Sequence, residues 1–366
     1  MELGFYSVGS LPFATAKEAL AFQQKLTAKG IKLWAYVGGE ATKPNWLVND
    51  SQRIARLAGI PLNHIFTGLA YPHFGARLAL GTVYKHRVNA YIRSHGVPLD
   101  YANTAREEYD LFAASGANGR FMVGLPTPFA LAFMSGITGH ENLRAFEASF
   151  AEEIRKILAI DNSIVIQWEM PIELALASLL HPIASRRQKW LQSKMDSVGR
   201  VMSAVDSEAS WTVHLCNGDL KHRPALPGFG QSPRVRVELI NAFTQLEVWQ
   251  TGHTLEAIHE PHGDGKHLQK LSPKDLQVYS LLTCRPNTYA VGLNLAATVD
   301  PEEIAQELRA MRNVLQDVPT MDGNPGPLTL LASTPCGLGR TPVAEVDQEF
   351  DLLREVNQIL DSTEER

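Results

Sequence analysis

Residues 120–128, RFMVGLPTP, and 163–171, SIVIQWEMP, are two apolar runs of strand length on either side of ENLRAFEASFAEEIRKILAI at 141–160. In the stretch between them Leu143, Phe146, Phe150, Ile154 and Leu158 recur at helical spacing and form one apolar face. Strand, helix, strand is the signature of a parallel pair, because a chain that returns in the same direction needs a crossover of a dozen residues or more. The unit then repeats. RRQKWLQSKMDSVGRVMSAV (186–205) leads to WTVHLC (211–216), VRVELINAFTQL (235–246) to TLEAIHEP (254–261), and SPKDLQVYSLL (272–282) to TYAVGLNLA (288–296). A helix from Asp300 leads to LTLLASTPCGLGR (328–340), and VAEVDQEFDLLREVNQIL follows it. Ser272-Pro273 and Asp300-Pro301 are N-cap and first-turn pairs that mark where two of these helices start.

Toward the N-terminus, LGFYSVGSLPF and KLWAYVGG read as two further strands around the helix TAKEALAFQQKLTAKG (15–30). Eight strand–helix units predict a (β/α)8 TIM barrel, a single α/β domain over residues 1–366, with its active site where strands end and the following loops begin. A doubly wound open sheet is the alternative, but no GxGxxG or GxxxxGK[ST] follows any strand.

The chain has 366 residues, 45% hydrophobic and 20% charged, enough to bury a large core. Its formal net charge of -5 and scattered basic residues give no footprint for nucleic acid or an anionic membrane, so neither is expected as a partner. The first residues lack the basic start and apolar centre of a signal peptide, and no run approaches the ~18 apolar residues of a membrane span, which leads us to expect a cytoplasmic protein. Cys216, Cys284 and Cys336 are too few, and odd in number, for a disulfide framework; metal binding, catalysis or plain burial remain.

On a strand, residues i and i+2 point to one face, so His214 and Cys216 project side by side. With the barrel as frame, they end the fifth strand, Glu260 ends the sixth and Cys336 the eighth. One histidine, one carboxylate and two thiolates on one rim match the ligand preferences of Zn²⁺. Glu256 and Glu238 compete with Glu260, although the first lies early in its strand and the second in a helix. His259, His262, Asp264 and His267 in HEPHGDGKH read as a solvated loop, and Cys284 as packing away from the rim.

HLC at the fifth strand, STPCGLGR at the eighth, GSLPF at the first and IQWEMP at the fourth resemble the zinc-containing catalytic barrel of the cobalamin-independent methionine synthase family and its single-barrel relatives. The resemblance implies a zinc-dependent methyltransferase of methionine biosynthesis. It implies His214, Cys216, Glu260 and Cys336 as metal ligands, a thiol substrate with homocysteine first, and a methyl donor. Zinc explains the design, because a thiol of pKa ~8.5 is mostly protonated at neutral pH and the metal removes that proton. Gly9 and Ser10 match the family's substrate-binding pair, where backbone N–H groups and a hydroxyl receive a carboxylate; a plain tight turn before Pro12 is the other reading. The family's fourth strand carries an Asp for the substrate ammonium, and here Glu169 stands in that stretch, one methylene longer. Arg340 could orient an anionic substrate or pair with a surface acid.

The family's seventh strand ends in an Asp and a His-Ser-Pro motif whose histidine protonates the departing folate nitrogen. Here VGLNLAATVDPEE offers Asn294 and no histidine, which argues against a folate donor and leaves a methylated corrinoid protein or a sulfonium. The catalytic acid, if there is one, is unassigned, and His259 or His262 on the sixth-strand loop are the nearest histidines. Three alternatives stay open: an alkyltransferase acting on another thiol such as coenzyme M, a non-enzymatic barrel that keeps zinc for stability or binds a small molecule, and, more distant, a metal-free porphyrinogen decarboxylase-like barrel, against which stands the lack of an Arg-rich motif near the N-terminus.

Overall fold

The computed structural model describes residues 4–38, 46–59, 86–135, 139–180, 183–205, 208–216, 232–262, 271–293, 299–339 and 341–364. Asp264, His267, Asn294 and Arg340 lie outside the described residues. Seven strands form one curled sheet: β1 (Tyr36–Val37), β2 (Phe121–Pro126), β3 (Val165–Glu169), β4 (Ser210–His214), β5 (Thr254–Pro261), β6 (Thr288–Gly292) and β7 (Thr329–Ser333). They pair in sequence order, and every pair is parallel. Parallel neighbours in strict order follow from the strand–helix alternation, since each crossover returns the chain beside the strand it left.

Of the eight expected strands, the first is the part that differs from expectation. The segment expected to open the barrel makes single bridges, Phe5 to Leu33 and Phe5 to Ala332, in place of a ladder. Phe5 N–H donates to Lys32 O (2.8 Å) and Tyr6 N–H to Ala332 O (2.9 Å), so this segment links the β1 side of the sheet to β7. Gly4, Gly9 and Pro12 explain the irregularity: they flank only a short run whose backbone can join a ladder.

The expected helix over 141–160 forms as His140–Leu158, with Phe146, Phe150 and Ile154 fully buried and Leu143 nearly so. Each large side chain so buried contributes about 1.5–3 kcal/mol. The Ser272 hydroxyl accepts from Asp275 N–H and the Asp300 carboxylate from Glu302 N–H, which starts the helices Pro273–Val278 and Pro301–Leu315 at the signalled positions. Thr127-Pro128 carries the same signal and starts an extra helix, Pro128–Met134, directly after β2.

Strand parity divides the sheet into two faces. Outward, Trp168 and Trp211 stack with ring centroids 5.8 Å apart beneath the helices. Inward, the Tyr6 hydroxyl donates to Gln167 Oε1 (2.6 Å) and lies 3.0 Å from the Thr212 hydroxyl, so the interior of the curl is polar. Among the described residues, no helix is long and apolar enough to cross a membrane.

Candidate metal centre

The register of the sheet lines up Glu169 with His214 and His214 with His259, so the ends of β3, β4 and β5 present one inward row. Cys216 lies two residues beyond His214, and Cys336 three beyond the end of β7. One ligand atom each from His214, Cys216 and Cys336 falls within 4.8 Å of the others. The two sulfurs are 3.7 Å apart. Two thiolates bound at ~2.3 Å to a tetrahedral ion stand about 3.8 Å from each other, so the spacing suits one shared metal.

His214 supports the same fit. Its Nε2 is fully buried without a hydrogen-bond partner, an arrangement that ordinarily costs free energy unless something coordinates the nitrogen. Burial first, and then the neighbouring His259, hold its pKa well below the usual value, so the ring is neutral and has a lone pair to give. Glu169 Oε2 stands 3.8 Å from this Nε2. Its other oxygen accepts from Gln167 Nε2 (2.7 Å), and the same amide donates to Val8 O (2.6 Å). An electron-pair donor and two sulfurs thus converge on one place, and a carboxylate borders the donor's Nε2.

Glu260 does not join them. It follows the inward His259 by one residue and therefore points to the helix side of β5, where it accepts from His262 Nε2 (2.8 Å) and Tyr279 OH (3.0 Å). Burial disfavours its ionised form, but His262 and Arg236 outweigh burial and keep the carboxyl below its usual range. His262 in turn lies 3.3 Å from Glu307 Oε1 through its Nδ1. Burial lowers its pKa, yet the two carboxylates raise it on balance. The competing acids are engaged elsewhere: Glu238 holds Arg187 at 2.6 and 2.8 Å, and Glu256 pairs with Arg120 at 3.0 Å.

The solvated-loop reading of HEPH is corrected as well, since His259 and His262 are both fully buried. The i, i+2 rule that pairs His214 with Cys216 would have found His259 had it been applied along β5 from Ala257. Cys284 is partly buried, with its sulfur 3.6 Å from Met321 sulfur, in the turn before β6 and so at the other end of that strand.

Ser10 lies against the Cys336 segment. A Cβ added at Gly337 would fall 2.6 Å from Ser10 Oγ and 3.1 Å from its backbone nitrogen, and one at Gly339 would fall 2.8 Å from Oγ. The two glycines of CGLG are there because the first-strand loop occupies the space a side chain would need. Ser10 is thereby tied to the segment that carries one of the sulfurs, with Gly9 just before it in the chain.

No family model matches the chain, and no curated protein matches it. Among solved structures, a B12-independent methionine synthase from Shewanella sp. W3-18-1 in complex with selenomethionine is similar at a TM-score of 0.48 and 14% identity, covering 73% of this chain and 68% of that one. Endoglucanase CEL6B from Humicola insolens is similar at a TM-score of 0.34 and 10% identity, covering 83% and 94%. Likenesses this low add nothing to the reading of the site.

Proposed function

We propose that this chain is a zinc-dependent transferase that moves a methyl or other alkyl group onto a thiol, on a (β/α)8-type barrel whose first strand position is taken by the segment around Phe5. The observation that carries the reading is the His214, Cys216, Cys336 group with its orphaned Nε2 and its 3.7 Å sulfur pair. Three protein donors are what catalytic zinc sites use, with one position left for substrate. A zinc ion held there would supply Lewis acidity that keeps a substrate thiol ionised, and hence nucleophilic, at neutral pH.

The other roles belong to the chain's own residues. Glu169, fixed through one oxygen by Gln167 and 14% exposed, pairs with the ammonium of an amino-acid thiol, of which homocysteine is the first candidate. Ser10, beside the Cys336 segment, and Gly9 before it receive its carboxylate. Neither nearby histidine is suited to protonate a folate nitrogen. His259 is fully buried, with its pKa pushed down to about 3 chiefly by burial, and His262 is turned to the outer face between two carboxylates. A methylated corrinoid or sulfonium donor, whose leaving group needs no proton, follows from that.

The test is a metal assay on purified protein, then titration with homocysteine and with coenzyme M while proton release is followed. One zinc per chain and stoichiometric proton release with homocysteine support the proposal. Release with coenzyme M alone moves the substrate to the non-amino-acid class, and a metal that no thiol perturbs makes the barrel non-enzymatic.

A further inference from the structure

His214 has a second ring nitrogen, and its environment is as specific as that of the first. His214 Nδ1 lies 2.6 Å from His259 Nδ1, and His259 Nε2 lies 3.1 Å from Thr334 O. A carbonyl oxygen can only accept, so His259 Nε2 carries a hydrogen. Both rings are fully buried and neither is hydrogen-bonded to a carboxylate, so each is neutral and holds a single N–H. His259 Nδ1 is therefore bare. The one proton in the contact between the two rings must come from His214 Nδ1, which leaves His214 Nε2, 3.8 Å from Glu169 Oε2, bare as well.

The His259 ring is held for this task. It stacks on Tyr6 with centroids 5.5 Å apart and planes within 13°. Gly292 makes room for it, since a Cβ there would fall 2.9 Å from His259 Nε2 and 2.9 Å from Pro335 Cα. Thr334 belongs to the segment that delivers Cys336 two residues later, so one chain of hydrogen bonds ties the histidine of β4 to the cysteine after β7.

We propose that His259 is a positioning residue: by passing the Thr334 carbonyl's demand for a donor through its own ring, it selects the Nδ1–H tautomer of His214 and aims the Nε2 lone pair at the metal. The inference rests on the metal reading above. Partners of this kind typically change metal affinity 10- to 100-fold when removed.

Two measurements test it. Long-range ¹H–¹⁵N correlation spectra of histidine-labelled, metal-free protein, assigned with His214→Gln and His259→Gln, should show His214 protonated at Nδ1 and His259 at Nε2. The opposite placement on either ring overturns the relay, whatever the metal does. By chelator competition, His259→Leu should bind zinc about 10- to 100-fold more weakly. His259→Gln, whose amide can accept from His214 and donate to Thr334, should recover most of the loss. A folded His259→Leu protein with wild-type zinc affinity overturns the proposal, and if that variant does not fold, the wild-type tautomers decide. Wild-type protein that binds no zinc overturns the metal reading itself, whereas normal zinc binding with reversed tautomers overturns only the role of His259.

Discussion

The Cys216 and Cys336 sulfurs, 120 residues apart in sequence and carried by the segments after β4 and β7, stand 3.7 Å from each other without a disulfide between them. That is far beyond the ~2.05 Å of a disulfide, and it suits two ligands of one ion. Zinc should therefore protect both thiols from alkylating reagents and peroxide, and a chelator should expose them as the pair that oxidises first. Cys284, beside Met321, should react alike in both states. Peptide mass spectrometry after alkylation reads the three cysteines separately, and equal labelling of Cys216 and Cys336 with and without zinc would count against a shared metal.

Glu260 separates what the family resemblance implies from what the strand geometry does. If it faces the helices, Glu260→Gln should leave the zinc content unchanged and instead destabilise the fold by about 3 kcal/mol, because His262 and Arg236 lose a buried counter-charge. Zinc analysis and chemical denaturation of the same preparation check both halves. Loss of metal from a protein of wild-type stability would return Glu260 to the ligand set.

Both findings bear on how much the sequence reveals. The alternation over 120–171 and its repeats predicted the parallel order, because period and turn chemistry are local properties of the chain. The partial first strand was not legible, since the bridges of Phe5 depend on where β7 arrives more than 300 residues later. At the site, His214, Cys216 and Cys336 could be picked out by residue type and spacing. Glu260 could not be placed, because one step in strand register moves a side chain to the other face, and the same step brought in His259. The fit of Ser10 against Gly337 and Gly339 is a matter of shape between distant loops, for which the glycines are the only signal in sequence.

Glu169→Gln should weaken homocysteine by roughly 100-fold while zinc content stays constant, because an ammonium brought into the pocket would lose its counter-charge, at a cost of about 3 kcal/mol. A thiol without an amino group should lose far less. Calorimetric titration of both thiols into wild type and variant makes the comparison, and equal losses would leave Glu169 as a structural partner of Gln167 only.

Glu173 sets a pH dependence on stability that has nothing to do with metal. It is fully buried on the helix Pro171–Leu180, and burial, only partly offset by the Thr127 hydroxyl, pushes its pKa up to about 7. The folded state then keeps a proton that the unfolded state gives up near 4.5. The contribution is full below 4.5 and is lost as pH rises through 7, a change on the order of 3 kcal/mol at ~1.4 kcal/mol per pKa unit. Glu173→Gln should flatten the decline, leaving the smaller share owed to Glu349, which is also pushed up to about 7 by burial and Glu345. Urea midpoints between pH 4 and 8 give the slope, and parallel curves for wild type and variant would remove Glu173 from the account.

X-ray absorption at the zinc edge, with and without homocysteine, addresses the central claim most directly. The account predicts one nitrogen and two sulfurs from His214, Cys216 and Cys336 in the resting protein, and one additional sulfur when the thiol binds. A coordination shell that already holds four protein ligands and does not change with any thiol, or protein that carries no zinc, would contradict it.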